Sequence, residues 1–305
     1  MKHIKDNILK ILLYYDIFSH PLKNEEIFTF LGENSISKQE VDNVLSSSSK
    51  ETENSFGEKD GFYYIKPNLD NISKRLLKEK YSMKVWKAAR FVTHIIKRFP
   101  YVRAVMVTGS LSKNSSDKTS DLDFMVITAP GRLWISRTLL TLFKKIFLLN
   151  SYKYFCINYY VTENELEIKD RNVYTATEIA TIKGTYNTIL TNGFIEKNSW
   201  IKNYFPNYIL CDPGMHTAGC RVTNRDSILK TICESLIPSS FAEKMDVWLM
   251  RKTIDHRNKK YYYLDDEERN FRLMSTRNIS KVHPDSVQKL ILNTYTAKLK
   301  QFNLQ

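Results

Sequence analysis

Apolar residues recur at three- and four-residue intervals from the first turns of the chain. Ile4, Ile8, Ile11, Leu12 and Tyr15 share one face, which predicts a helix closing near Asp16-Ile17-Phe18. Ser19-His20-Pro21 breaks it, and Asn24 is placed to cap a short helix that ends at Gly32. Ser37 and Glu40 have capping-box spacing ahead of a third helix, whose apolar face is Val41, Val44 and Leu45. A polar, serine-rich stretch over 46–58 follows, and then Gly61-Phe62-Tyr63-Tyr64-Ile65 reads as a strand ended by Pro67. Over 69–103 the pattern is helical again. Leu76, Leu77, Trp86, Ala89, Phe91, Val92 and Ile95 supply its apolar stripe, and Pro100 stops it.

The period then changes from helical to extended. Residues 102–108 predict a strand, Gly109-Ser110 a turn, and Asp121-Leu122-Asp123-Phe124-Met125-Val126-Ile127 a second strand after a polar loop. Pro130-Gly131 leads into an amphipathic helix over 132–148, and residues 154–162 are β-branched and aromatic enough for a buried strand. Thr175 and Glu178 are spaced as a capping box for a helix over 176–181. Beyond 194 the chain reads as mostly helical. The clearest segments are 241–254, with Ser240 and Glu243 as a capping box, and 287–302; Asp265-Asp266-Glu267-Glu268 opens another. The fold class expected is α+β in three regions: 1–68, 69–193 with a small mixed sheet, and 194–305.

At 305 residues the chain is long enough for a sizeable core, and its apolar content excludes disorder as the overall state. A net charge of +13 and a pI near 9.4 point to an anionic partner, or to a solvated basic surface in a chain that uses lysine freely. The charge concentrates on the helix over 69–103, where ten Lys and Arg residues stand against Asp70 and Glu79. That excess reads as a rim attracting a polyanionic substrate or as a solvated helix face. A second basic run, Arg251, Lys252, His256, Arg257, Lys259 and Lys260, ends in three tyrosines and reads as a solvated helix end or a nucleotide cradle. Four cysteines show no disulfide spacing and the N-terminus lacks a signal-peptide pattern, so a cytoplasmic location is expected. The apolar run over 133–149 is interrupted by Arg137, Lys144 and Lys145 and is short for a bilayer span. Cys211, His216, Cys220 and Cys233 match no familiar zinc spacing.

The candidate chemistry lies at 109–123. Residues two apart in a strand project together, so Asp121 and Asp123 would face one way while Leu122 and Phe124 face the core. Paired carboxylates that lose hydration are stabilised by a divalent cation. Gly109 lets the backbone approach a ligand closely, and turn amides with the Ser110 hydroxyl can hold phosphate oxygens.

With Gly109-Ser110 followed by Asp121-x-Asp123 on the next strand, the chain resembles the nucleotidyltransferase superfamily related to DNA polymerase β. The segment with the Phe18-Ser19-His20-Pro21-Leu22 turn, in a region of three short helices and a strand hairpin, resembles winged-helix modules fused ahead of such domains. The resemblance implies that Asp121 and Asp123 hold two Mg²⁺ ions and that Gly109 and Ser110 hold the terminal phosphates of an NTP. It also implies a third carboxylate on the later strand, where this chain has Asn158. An asparagine can ligate through its carbonyl oxygen but brings no charge and cannot take a proton. Glu163, Glu165 or Asp170 could serve instead, the acceptor could bring its own anion, or transfer could be slow or lost. The expected function is transfer of a nucleoside monophosphate from an NTP, first of all ATP, to an unidentified acceptor. The alternative is a non-catalytic nucleotide-sensing regulator whose winged helix binds DNA or a protein. The third helix carries Lys38 but also Glu40 and Asp42, which favours a protein-binding or structural role over DNA binding.

Overall fold

The computed structural model describes residues 2–33, 36–48, 55–151, 153–210, 228–282 and 287–304. It is a mixed α+β structure. The N-terminal region contains α1 (Lys2–Asp16), α2 (Asn24–Thr29), α3 (Lys38–Ser48) and a hairpin of β1 (Phe56–Lys59) with β2 (Phe62–Ile65). Leu22 adds an isolated antiparallel bridge to Tyr63, so a third extended segment lies against β2. The Ser37–Glu40 box forms as expected: the Glu40 carboxylate accepts from Ser37 N–H at 2.8 Å, and the Ser37 hydroxyl accepts from Glu40 N–H at 3.3 Å. Asn24 is not a cap. It is the first helical residue, and Lys23 holds the cap position with its N–H donating to Glu26 at 2.7 Å.

The helix α4 (Asn71–Ile96) delivers the chain into a five-stranded sheet of order β6-β3-β4-β5-β7. Its strands are β3 (Val102–Val107), β4 (Asp123–Thr128), β5 (Cys156–Thr162), β6 (Lys183–Tyr186) and β7 (Ile279–Lys281). Only β4 and β5 run parallel; every other neighbouring pair is antiparallel. The C-terminal region is therefore not only helical: it lays β7 on the edge of the sheet.

Both faces of the sheet are covered, which is why β4 reads as an unbroken apolar run. Val105, Val107, Phe124 and Val126 pack with Ala89, Val92 and Ile96 of α4 and with Leu133, Trp134 and Leu140 of α6 (Leu133–Phe147). Ala104, Met106, Met125 and Ile127 face the other way. They share one apolar cluster with α7 (Val173–Thr181), α8 (Thr188–Lys197) and the N-terminal helices. Two further helices, α9 (Ile228–Leu236) and α10 (Ser239–Lys260), follow the first two-thirds of the chain. The Ser240–Glu243 box does not form, because Pro238 is the cap of α10 and Glu243 pairs with Arg132 at 3.0 Å and with Arg277. Asp246, fully buried on α10, instead caps α6 by accepting from Trp134 N–H at 2.8 Å and Ile135 N–H at 2.9 Å. The acidic run opens the helix α11 (Asp266–Arg272) as expected, and Asp265 is its cap, accepting from Glu268 N–H at 2.7 Å. Tyr295 of α12 (Val287–Gln301) packs edge-on against Tyr14 at 5.3 Å. No helix among the described residues is long and apolar enough to cross a membrane.

Candidate functional site

At the end of β3 the chain turns sharply. Gly109 has φ +66°, a left-handed conformation, and begins the four-residue helix α5 (Gly109–Ser112). A Cβ on Gly109 would lie 2.5 Å from Asp123 Oδ2. Glycine is therefore required twice, once by the backbone angle and once because the Asp123 carboxylate occupies the space of a side chain. The Ser110 hydroxyl lies 3.0 Å from that of Ser116, and Ser116 N–H donates to Ser82 Oγ of α4 at 3.1 Å. Ser110 is thus positioned by α4 through the loop.

Asp123 is the first residue of β4, half-buried, and alternation sets it on the face of Met125 and Ile127. Asp121 does not share the strand. It is exposed and precedes β4, because Leu122 already pairs with the segment leading into β5, donating to Lys153 O at 2.9 Å and accepting from Cys156 N–H at 3.2 Å. The Asp123 carboxyl is pushed up to about 7, first by burial and then by the charges of Glu178 and Asp121. The hydrogen bond from Asn158 and the nearby Lys113 act in the opposite direction.

Asn158 does stand beside Asp123. The β4–β5 register shifts between Phe124–Ile157 and Met125–Tyr159, leaving Asn158 as the extra residue of a bulge. Its Nδ2 donates to Asp123 Oδ1 at 2.6 Å, and its Oδ1 accepts from Cys156 Sγ at 2.9 Å. Burial pushes the Cys156 thiol up to about 12, so it stays protonated as the donor. The three substitute carboxylates lie elsewhere. Glu163 N–H bonds to Thr128 O, at the end of β4 opposite Asp123, about 16 Å away at strand rise. Glu165 pairs with Lys169 at 3.4 Å, and Asp170 accepts from Asn172 at 2.9 Å and Gln288 at 2.7 Å.

The carboxylate that reaches the turn is Glu178, which sequence reasoning assigned to a capping box with Thr175. The actual cap of α7 is Asn172, accepting from Thr175 N–H at 2.9 Å. Glu178 Oε2 accepts from Gly109 N–H at 3.3 Å, and its Oε1 accepts from Lys113 Nζ at 2.7 Å. Lys113 also donates to Gly109 O at 3.1 Å. The position carries no local signal of this role, since only the packing of α7 against the sheet brings Glu178 to the turn.

Among the described residues no group of three or more His, Cys, Asp or Glu side chains is arranged to hold a metal ion. The donors present are the pair Asp121 and Asp123 with the Asn158 amide. The charge of Asp121 helps to raise the Asp123 carboxyl, and Asn158 turns its Nδ2 rather than its Oδ1 toward Asp123, so its oxygen would face a cation there only after the side chain turned over. Of the imagined zinc ligands, Cys211, His216 and Cys220 lie outside the described residues, and Cys233 is an exposed free thiol. Comparison of the chain with protein-family models, curated proteins and solved structures returned no match.

Proposed function

We propose that the protein is a metal-dependent nucleotidyltransferase that moves a nucleoside monophosphate from an NTP, first of all ATP, to an unidentified acceptor. The observation that carries this reading is the contact between the left-handed Gly109 turn and the Asp123 carboxylate, with no room for a side chain between them. Such a contact sets a phosphate-binding turn against a cation-binding carboxylate, the juxtaposition that phosphoryl chemistry requires. The N-terminal region, with its three helices, hairpin and Leu22–Tyr63 bridge, is read as a winged helix that engages a protein or DNA.

In this mechanism Asp121 and Asp123 would hold Mg²⁺, and Asn158 would add its amide oxygen only by turning over, since its Nδ2 faces Asp123. A bound Mg²⁺ supplies positive charge at the transferred phosphoryl group. Gly109 keeps the approach to Asp123 open. The Ser110 hydroxyl would orient phosphate oxygens, and the Gly109 amide and Lys113 would join it on releasing Glu178, which holds both in this structure. Asn158 cannot accept the proton of the attacking hydroxyl, so β5 provides no general base at this position.

A second reading, a nucleotide-sensing regulator without transfer, is favoured by that same asparagine and by the engagement of Lys113 with Glu178. Incubation with α-labelled NTPs, Mg²⁺ and cell extract separates the two. A labelled product supports transfer. Mg²⁺-dependent nucleotide binding with no labelled product supports the regulator, and no nucleotide binding removes both.

A further inference from the structure

On the α6 face of the sheet, away from Asp123, two guanidinium groups lie over one indole, and among the described residues neither pairs with a carboxylate. Arg257 of α10 is 4% exposed. Its Nη2 donates to Ser280 Oγ at 3.0 Å and its Nη1 to Ser275 Oγ, both neutral acceptors. Arg137 of α6 is half-buried and enters no hydrogen bond or ion pair with a described residue. Both guanidiniums lie over the same indole, Arg137 at 5.7 Å and Arg257 at 5.8 Å from the Trp134 ring centroid. The sequence counted Arg257 within a solvated basic run, yet the helix turns it inward.

The electrostatics agree with the geometry. Arg257 falls to about 9, first through burial and then through the charge of Arg137, with only the Tyr261 and Tyr160 phenols opposing. Arg137 is also lowered by burial, with Tyr160 opposing. Among the described residues no carboxylate opposes either shift. A desolvated cation is ordinarily paired, and Arg137 and Arg257 also repel each other, since the charge of Arg137 helps to lower Arg257. Trp134 gives each a cation–π contact, which orients a guanidinium but cannot neutralise it. Arg137 makes no hydrogen bond with a described residue, while Arg257 is fixed by two serine hydroxyls.

We propose that Arg137 and Arg257, with Ser275 and Ser280, form a binding site for a phosphate dianion, either free or as the terminal group of a phosphomonoester. Two fixed positive charges match a dianion, whereas a carboxylate would balance only one. Guanidinium forks suit phosphate oxygens, and the Ser280 hydroxyl can rotate to donate, as can that of Ser275 on releasing Leu273 O, to which it donates at 2.9 Å. The site stands independently of the nucleotidyl-transfer reading, because none of its residues touches Gly109 or Asp123.

The test is thermal melting of the full chain in phosphate-free buffer with added inorganic phosphate, sulfate or AMP. Wild type, Arg137→Gln and Asp123→Asn are compared. The site predicts that phosphate raises the wild-type Tm and that Asp123→Asn retains the rise. Arg137→Gln should lose it, with phosphate affinity by calorimetry at least tenfold weaker. Arg137→Gln should also melt no lower than wild type without phosphate, since removing one charge relieves repulsion. A stronger effect of AMP than of inorganic phosphate would assign the anion to a phosphomonoester, and equal effects to free phosphate. A phosphate response unchanged in Arg137→Gln, or a variant equally destabilised with and without phosphate, would overturn the site and leave the pair as packing. If phosphate produced no response in wild type, the proposal would also fail, whatever happened to nucleotide transfer.

Discussion

Arg75 and Asp123 are both charged groups taken largely out of water, and the chain treats them in opposite ways. Arg75, 4% exposed at the junction of α4 with the N-terminal region, has its fork filled. Glu26 accepts from Nη1 at 2.7 Å and Nη2 at 2.8 Å, Glu79 accepts from Nε at 2.8 Å, and Pro21 O accepts from Nη1. Burial by itself would lower this guanidinium, but the two carboxylates more than reverse it. Asp123 has no such balance: Glu178 and Asp121 add like charge to its burial, and its carboxyl rises to about 7. A charge buried to hold elements together is neutralised by its neighbours. Under the proposed function, an arriving cation would supply the balance that Asp123 lacks beside its glycine turn, and the same contrast sets Arg75 apart from Arg137 and Arg257.

Breaking the balanced side should have the largest effect on stability. Glu26→Ala leaves Arg75 with one carboxylate in place of two and should cost about 3 kcal/mol, read from the midpoint of urea unfolding. A change within a few tenths of a kcal/mol would show that Glu79 alone suffices. Gly109→Ala should cost about 2 kcal/mol, because the new methyl meets Asp123 Oδ2 and φ of +66° is strained for alanine. Unchanged stability in the same unfolding experiment would mean that the turn and Asp123 separate easily, and the proposed site would lose its main support.

On the unbalanced side the effects are smaller but depend on conditions. Asn158→Asp replaces the donor that lies 2.6 Å from Asp123 with a like charge, and should lower stability by about 1.5 kcal/mol in EDTA. Millimolar Mg²⁺ should narrow or reverse that gap; a difference indifferent to Mg²⁺ places Asn158 outside the cation site. Asp123→Asn should stabilise the metal-free protein at pH 8 by about 1 kcal/mol, a figure discounted for the partial exposure of the group. The folded carboxyl titrates above its unfolded value, so its ionisation weakens the fold fully above pH 7. That penalty fades as pH falls through 7 and is gone below about 4, so the advantage of the variant should shrink across that window. An advantage that does not change with pH would remove the electrostatic cause.

Much of this organisation was legible from residue pattern. The helix over 69–103 and the strand pair around the Gly109 turn follow from period and spacing, because burial on two faces leaves long apolar runs, whereas the place of Asn158 beside Asp123 was implied by the family resemblance. The capping boxes were legible only in part. Ser37 and Glu40 close on each other, whereas Glu178 and Glu243 are drawn off by Lys113, Arg132 and Arg277. The same local spacing therefore gives different outcomes once a distant cation competes for the carboxylate. Asp121 falls outside β4 because Leu122 already pairs with the segment before β5, and β7 is too short at three residues to show alternation. Glu178 at the turn and Arg257 facing inward depend wholly on how helices pack on the sheet.

The central claim is that Asp123 is left unbalanced because it belongs to a cation–nucleotide site. Calorimetric titration of Mg·ATP into wild type and Asp123→Asn, each repeated in EDTA, tests this most directly. The account predicts binding by wild type that requires Mg²⁺ and is lost in the variant, while both proteins remain folded by circular dichroism. Equal affinity of the two proteins for Mg·ATP, or no binding by folded wild type, would contradict it.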